Sequence, residues 1–255
     1  MPAIIFDCDG VLADTERFGH LIAFNQTFRE FNLPVQWSEA DYAIKLRIAG
    51  GKERMASLLT TEFVNKANLP LNPSAQKELI SNWHQRKTDI YMKMVSEGKL
   101  PGRPGIVRLI DEAITAGWKL AVASTSAEQS VRAVLENVAG ENRAAQFEIL
   151  AGDIVSRKKP AADIYLLALK QLKVAANQAL VIEDSRNGLL AAVSAGLRCL
   201  ITRSSYTKEE DMSEAILVVS DLGEGKVPMQ VLENRSRARP GDFLTLKDLE
   251  ACLFS

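Results

Sequence analysis

The sequence predicts an α/β fold: a parallel sheet with helices on both faces, interrupted after its first strand by an inserted helical domain. Three observations predict it. A short apolar run, Ile4-Ile5-Phe6, stands almost at the start and ends in Asp7-Cys8-Asp9-Gly10. From about residue 16 to about residue 97 the apolar residues recur at helical spacing with no convincing strand between them. Beyond a Gly/Pro-rich joint at residues 98–105, strands and helices alternate, which is the rhythm of parallel βαβ units.

The elements follow in order. Ile4 to Phe6 reads as a buried strand, and Gly10 lets the chain turn sharply behind it. Phe18, Leu21, Ile22, Phe24, Phe28 and Phe31 form a helical stripe that Pro34 stops, and Trp37, Tyr42, Ile44, Leu46 and Ile48 lead into Gly50-Gly51. Met55, Leu58, Leu59 and Phe63 make another stripe, and a last helix spans about 74–95. After the joint, a helix from about Gly105 ends at Gly117, a good C′ residue, and 118–123 is a strand. Ser126-Ala127-Glu128-Gln129 resembles a capping box that opens the next helix. Residues 147–150 form a short strand, 160–172 a helix with Pro160 in its first turn, and 179–182 an apolar strand. A helix to Gly196 and a strand at 198–202 complete the alternation, and residues 223–242 read as an extra polar loop. The expected division is a discontinuous core of 1–14 and 99–255 around an inserted domain of 15–98.

Composition narrows the function. A chain of 255 residues holds one large domain or two modest ones. A formal net charge of −1 offers no general attraction for nucleic acid or an anionic membrane. The basic cluster Arg235, Arg237 and Arg239 is short, lacks aromatic residues, and reads as a solvated loop. No apolar run approaches the ~20 residues that span a bilayer, and no targeting segment is visible. Three widely separated cysteines without a CxxC pair fit a reducing cytoplasm.

Four motifs sit at strand or helix ends, where open α/β sheets keep their reactive groups. Strand alternation directs Asp7 and Asp9 the same way, and two carboxylates that close call for a divalent cation. Ser124-Thr125-Ser126 ends a strand just before a helix, as phosphate ligands at a helix N-terminus or merely as caps. Lys159 next to Pro160 lies where its charge opposes a helix dipole, so an anion within reach would explain it. Glu183-Asp184-Ser185 again places carboxylates at a strand end, as a helix cap or as part of an oxygen-rich site for a hard cation such as Mg2+. An EF-hand loop from Asp7 fails at Leu12 and Phe18, and Gly51-Lys52 lacks the rest of a P-loop. A serine hydrolase lacks its partner, since His20 and His84 both fall in the inserted domain.

In their order and placement these motifs resemble the haloacid dehalogenase superfamily, with its Rossmann-like core and small helical cap. The resemblance implies a Mg2+-dependent phosphoryl transfer. In it Asp7 is the nucleophile, Asp9 the acid–base, and Ser124 and Lys159 hold the phosphoryl oxygens, with Thr125 and Ser126 beside them. Asp7, the Asp9 carbonyl, Asp184 and Glu183 (through a water) would hold the metal. Asp9 separates the chain from the metal-independent dehalogenases. Asp14-Thr15-Glu16, residues 20–28, residues 50–55 and Gly152-Asp153-Ile154-Val155 are similar to the CbbY group, which dephosphorylates xylulose 1,5-bisphosphate, an inhibitor of Rubisco. That similarity implies sugar or distal-phosphate contacts from Glu16, Tyr42, Gly50, Gly51, Lys52 and Arg54. Read from the residues alone, Lys52 and Arg54 either bind a second anion or form a solvated turn. The expected partner is thus a small phosphorylated sugar, with no nucleic acid, no membrane and a monomeric chain. A phosphomutase of the β-phosphoglucomutase kind and a non-catalytic sugar-phosphate-binding regulator are the alternatives.

Overall fold

The computed structural model describes residues 1–48 and 50–254. The chain divides into two compact units, Met1–Asp14 with Leu100–Ser255, and Thr15–Lys99. Lys99, expected in the core, falls in the helical unit. Its N–H closes the end of the last helix there on the Met94 carbonyl at 3.0 Å, and its ammonium pairs with Glu97 at 2.6 Å.

The first unit opens with β1 (Ala3–Phe6), whose four residues are all buried. The helical unit follows with a π-helical turn (Glu16–His20), α1 (Leu21–Glu30), α2 (Glu39–Lys45), α3 (Gly51–Ala56), α4 (Thr61–Lys66) and α5 (Pro73–Ser96). Local chemistry sets several of these boundaries. Ser38 and Asp41 form a reciprocal capping box on α2, and Asn72 caps α5 just ahead of Pro73 in its first turn. The core of this unit is aromatic: Phe24 and Phe28 pack on Trp37 with ring centroids 5.0 and 4.8 Å away, and Tyr42 stacks beside them.

The first unit resumes with α6 (Ile106–Thr115), β2 (Lys119–Ser124), α7 (Glu128–Ala139), α8 (Glu141–Ala144), β3 (Phe147–Ala151) and α9 (Asp163–Leu172). Then come β4 (Ala179–Glu183), α10 (Arg186–Ser194), β5 (Arg198–Thr202), β6 (Leu217–Val219), β7 (Val231–Asn234) and α11 (Leu246–Leu253). The sheet order is β3-β2-β1-β4-β5-β6-β7, parallel except for the antiparallel β6–β7 pair. The α/β expectation therefore holds. From β1 the chain builds first to one side, through β2 and β3, and then returns to the other through β4. The carboxyl ends of β1 and β4 thus meet at a topological switch point, the usual ligand crevice of such sheets.

Three expectations change. The helix expected from Pro160 begins only at Asp163, because residues 160–162 are used in a turn in which the Ala161 N–H meets the Lys158 carbonyl. The expected polar loop at 223–242 contains β7, whose mostly exposed side chains hid the strand pattern. The capping box expected at Ser126 does not form. Ala127 holds the N-cap position of α7 with no side-chain bond. Among the described residues no helix is long and apolar enough to cross a membrane.

Arg103, in the Gly/Pro joint, ties the strand ends together. Its guanidinium donates to the carbonyl of Gly10, to the Thr202 carbonyl and hydroxyl at 3.1 Å each, to the Arg203 carbonyl at 2.7 Å and to the Ser220 carbonyl at 2.6 Å. A buried carbonyl deprived of its donor costs roughly 1–3 kcal/mol. Arg103→Met should therefore lower the unfolding free energy by about 3–5 kcal/mol in urea titration. A loss below about 1 kcal/mol would show that water replaces the clamp.

Candidate functional site

The site is built at the ends of β1, β2 and β4. Asp7 follows β1 directly, and its N–H donates to the Ile182 carbonyl of β4 at 2.9 Å, which seats it in the crevice. Lys159 comes from the loop after β3. Its ammonium donates to Asp7 Oδ1 at 2.6 Å, to Glu183 Oε1 at 2.6 Å and to the Ala123 carbonyl at 2.9 Å. The Lys159 side chain is 7% exposed and Glu183 is fully buried, so this pairing takes place largely away from water. Tyr165, on the first turn of α9, donates its hydroxyl to the same Glu183 oxygen at 2.9 Å, and its ring lies 5.0 Å from the ammonium. Glu183 Oε2 accepts from the N–H groups of Asp184 and Ser185 and from the Ser185 hydroxyl. Ser185 in turn caps α10 by accepting from the Gly188 N–H.

Glu183, expected to serve a metal-bound water, stands among the buried carboxylates of the site. Both of its oxygens are engaged by the protein, and its chief partner is Lys159. One oxygen from each of Asp7, Glu183 and Asp184 nevertheless lies within 4.8 Å of the others, a buried group that can hold a metal. The Asp9 carboxylate is outside that group. Asp7 and Asp9 part because β1 ends at Phe6, so strand alternation no longer governs them. Asp9 Oδ2 accepts from the Ser126 hydroxyl at 2.5 Å, and the Ser126 N–H donates to Ser124 Oγ at 3.1 Å. Ser124 is buried, whereas Thr125 is exposed.

Electrostatics follow from burial. Desolvation pushes the Asp7 carboxyl up to about 7, helped by the charges of Glu183 and Asp9 and opposed by Lys159. Burial likewise holds Asp184 well above the usual carboxylate range, with Glu183 and Asp7 adding to it and Ser204 and Arg103 opposing. Burial disfavours the charged forms of Glu183 and Lys159 too, yet their mutual attraction prevails, so Glu183 is lowered and Lys159 raised. The Lys159 ammonium pairs with two of the three clustered carboxylates, Asp7 and Glu183, and Arg103 directs its hydrogen bonds to carbonyls and the Thr202 hydroxyl. A divalent cation would restore the balance, and an all-oxygen donor set suits a hard ion such as Mg2+. The backbone is shaped for this site. Gly10 has φ +80°, and a Cβ there would lie 2.0 Å from Asp184 Oδ2, so only glycine admits the loop so close to that carboxylate.

The helical unit holds its own cluster. Tyr42 donates its hydroxyl to Glu16 Oε2 at 2.5 Å, and Arg54 donates to the Tyr42 hydroxyl at 3.1 Å and the Ile48 carbonyl at 3.0 Å. Arg54 also lies 3.7 Å from Glu16. Gly50, at φ +95°, opens α3 against the Glu53 carboxylate. Gly51 faces His84 and Phe24, where a Cβ would come within 2.8 Å of the His84 ring. Lys52 is exposed. Of the residues that organise these sites, sequence reasoning missed Tyr165 and Arg103. Tyr165 carried a signal, six residues after Lys159 on the helix that follows it. A buried arginine in a Gly/Pro joint carries none.

Residues 1–196 match the family model of haloacid dehalogenase-like hydrolases. The chain is 43% identical over 226 residues to a CBBY-like protein of Arabidopsis thaliana, covering 87% of this chain and 69% of that protein. It is 41% identical over 223 residues to protein CbbY of Rhodobacter capsulatus, covering 87% and 94%. Among solved structures it is similar to CbbY from Rhodobacter sphaeroides in complex with xylulose 1,5-bisphosphate, an Asp-to-Asn mutant. That likeness has a TM-score of 0.74 and 38% identity over 88% of this chain and 97% of the other.

The raised Asp7 carboxyl has a consequence for stability. Between the ordinary value near 3.8 and about 7, the folded chain binds a proton that the unfolded chain has released. Stability therefore falls as pH rises through that window. Metal-free protein should lose several degrees of Tm between pH 5 and pH 8, and millimolar Mg2+ should restore more of it at pH 8 than at pH 5. A flat metal-free profile in calorimetry would show that Asp7 is not withdrawn from water in the folded chain.

Proposed function

The chain belongs to the haloacid dehalogenase-like hydrolase family and is a phosphatase; we propose that it is Mg2+-dependent, forms an aspartyl phosphate on Asp7 and acts on a sugar bisphosphate, xylulose 1,5-bisphosphate. The observation that carries the chemistry is the buried Asp7–Lys159–Glu183 cluster at the switch point of the sheet. The substrate rests on the similarity to CbbY proteins, one of them in complex with that bisphosphate. The Glu16–Tyr42–Arg54 cluster of the helical unit supports it, as hydrogen-bonding chemistry suited to a polyhydroxylated ligand.

In the first step an Asp7 oxygen forms a bond to phosphorus while the bond to the sugar oxygen breaks. The departing oxygen keeps the electron pair and takes a proton from the Asp9 carboxyl. In the second step water attacks phosphorus, its proton passes to the Asp9 carboxylate, and Asp7 is released with inorganic phosphate. Lys159 offsets the charge that accumulates when a carboxylate approaches a phosphate dianion. Glu183 and Tyr165 hold Lys159 so that its ammonium needs no reorganisation during the reaction. Ser124 Oγ accepts from the Ser126 N–H and would donate its own proton to a phosphoryl oxygen. Asp7, Asp184 and the Asp9 carbonyl, with Glu183 through a water, would hold Mg2+, which when bound stabilises the charge on the transferring group.

Release of inorganic phosphate from a panel of sugar mono- and bisphosphates tests the reading. The bisphosphate should be preferred, with release abolished by chelator and restored by Mg2+. Isomerised product without release would reveal a mutase, and neither outcome would leave only a binding role. Asp7→Asn should lower kcat by more than ~10⁴-fold with the fold retained. Lys52 and Arg54 are the proposed distal-phosphate ligands: Lys52 is exposed, and Arg54 spends Nε and Nη1 on Ile48, Tyr42 and Glu16 out of the five donors of a guanidinium. Lys52→Ala should raise KM for the bisphosphate by roughly 10-fold or more, the worth of one charged hydrogen bond, and leave monophosphates little changed.

A further inference from the structure

Gly10 stands where the loop after β1 meets Asp184, so close that an added Cβ would fall 2.0 Å from Oδ2 of that carboxylate. The peptide on its amino side carries the Asp9 carbonyl, read above as a ligand of Mg2+. Glycine imposes little on its own φ and ψ, so the direction of that carbonyl depends on what holds the peptides on either side. The Gly10 N–H donates to the Ala13 carbonyl at 2.8 Å, and the Leu12 N–H to the Cys8 carbonyl at 2.9 Å. Both bonds lie inside residues 8–13, so they give the loop its shape rather than its place on the sheet. At its flanks, Ser126 holds the Asp9 side chain and Ser205 holds the Asp14 side chain. The Gly10 carbonyl accepts from Arg103. The same guanidinium donates to Thr202, the last residue of β5, and to Arg203 and Ser220, the first residues beyond β5 and β6. The Arg103 N–H also holds the Leu12 carbonyl at 2.9 Å. Arg103 thus ties both the middle and the far side of this loop to the sheet.

We propose that Arg103 is a positioning residue for Mg2+: by holding the Gly10 carbonyl to the ends of β5 and β6, it sets the Asp9–Gly10 peptide against Asp184 before the ion arrives. The proposal rests on the Mg2+-dependent reading above. A ligand held in place from behind loses no freedom when the ion binds, and such supports are worth roughly 10–100-fold in metal affinity. The charge of Arg103 is a separate matter, because it is felt at the Asp184 carboxyl. A test of position must therefore keep that charge.

Mg2+ binding to the substrate-free chain, followed by calorimetric titration, separates this role from its rivals. Arg103→Lys keeps the charge and loses the planar set of donors. Thr202→Val removes one acceptor of the clamp and spares the Gly10 bond. Arg103→Lys should weaken Mg2+ binding at least ~10-fold, with kcat at saturating Mg2+ within ~3-fold of wild type. Thr202→Val should bind Mg2+ as wild type does. A lowered Tm with an unchanged dissociation constant would reduce Arg103 to a structural clamp and overturn the proposal. An equal loss in Thr202→Val would overturn it too, since the strand ends would then be loosened in general. An unchanged dissociation constant with a raised KM at saturating Mg2+ would make Arg103 a substrate contact, again against the proposal. Where Arg103→Lys does not fold, Arg103→Gln replaces it, titrated at increasing pH above 8. A loss of position persists there, whereas a loss that fades marks proton competition at Asp184 and overturns the proposal. A wild-type chain that binds no Mg2+ would instead overturn the metal-dependent reading, and the role of Arg103 with it.

Discussion

One ammonium group organises the site. Lys159 reaches from the loop after β3 into a crevice formed by β1 and β4, and its side chain is almost entirely withdrawn from water there. A buried ammonium is tolerable only if it is paired and hydrogen-bonded. Asp7 and Glu183 supply the pairing, the Ala123 carbonyl a further acceptor, and the Tyr165 ring a face for the charge. Each of these partners comes from a different strand end or helix. The arrangement therefore exists only when β1, β2, β4 and α9 are all in place. The same requirement explains why Glu183 is so fully bonded. A carboxylate with no exposure must have its oxygens satisfied, and it takes them from Lys159, Tyr165 and the first N–H groups leading into α10.

The excess of carboxylates over ammonium groups is the complementary fact. Burial away from water raises Asp7 and Asp184, and the charges of the neighbouring carboxylates add to it. Arg103 lies near enough to influence Asp184, but its hydrogen bonds go to carbonyls of the strand ends. The site is thus left electrically incomplete while its backbone is mechanically tied. That combination suits a centre that receives a cation and a phosphate from outside. Fixed dipoles and charges that need not reorganise are worth most in such a dry crevice.

Much of this was legible residue by residue. The strand–helix alternation after the joint and the long helical stretch before it gave the α/β class, because hydrophobic period is a local property. Asp7, Ser124, Lys159 and the Glu183-Asp184 pair could be picked out because each stands where an apolar strand or a helix boundary meets a polar side chain. What failed were local rules that long-range contacts override. Ser126 has the sequence of a cap, yet a carboxylate 117 positions away competes successfully for its hydroxyl. The exposed residues of β7 gave no alternating pattern, since an edge strand with both faces in solvent has no need of one.

The sequence by itself determined the fold class, the order of the motifs, and the chemical type of each group: a pair of carboxylates, hydroxyls, a lysine and a second acidic pair. These depend on residue type and on periodicity over a few turns. Only the tertiary structure decided how the groups divide their work. It bound Glu183 to Lys159 rather than leaving it for solvent, placed Asp9 under the Ser126 hydroxyl, and recruited Tyr165 and Arg103 as supports. The physical reason is that burial and hydrogen-bond competition are settled among all groups brought within reach. In a sheet that switches direction at β1, those groups come from opposite ends of the chain.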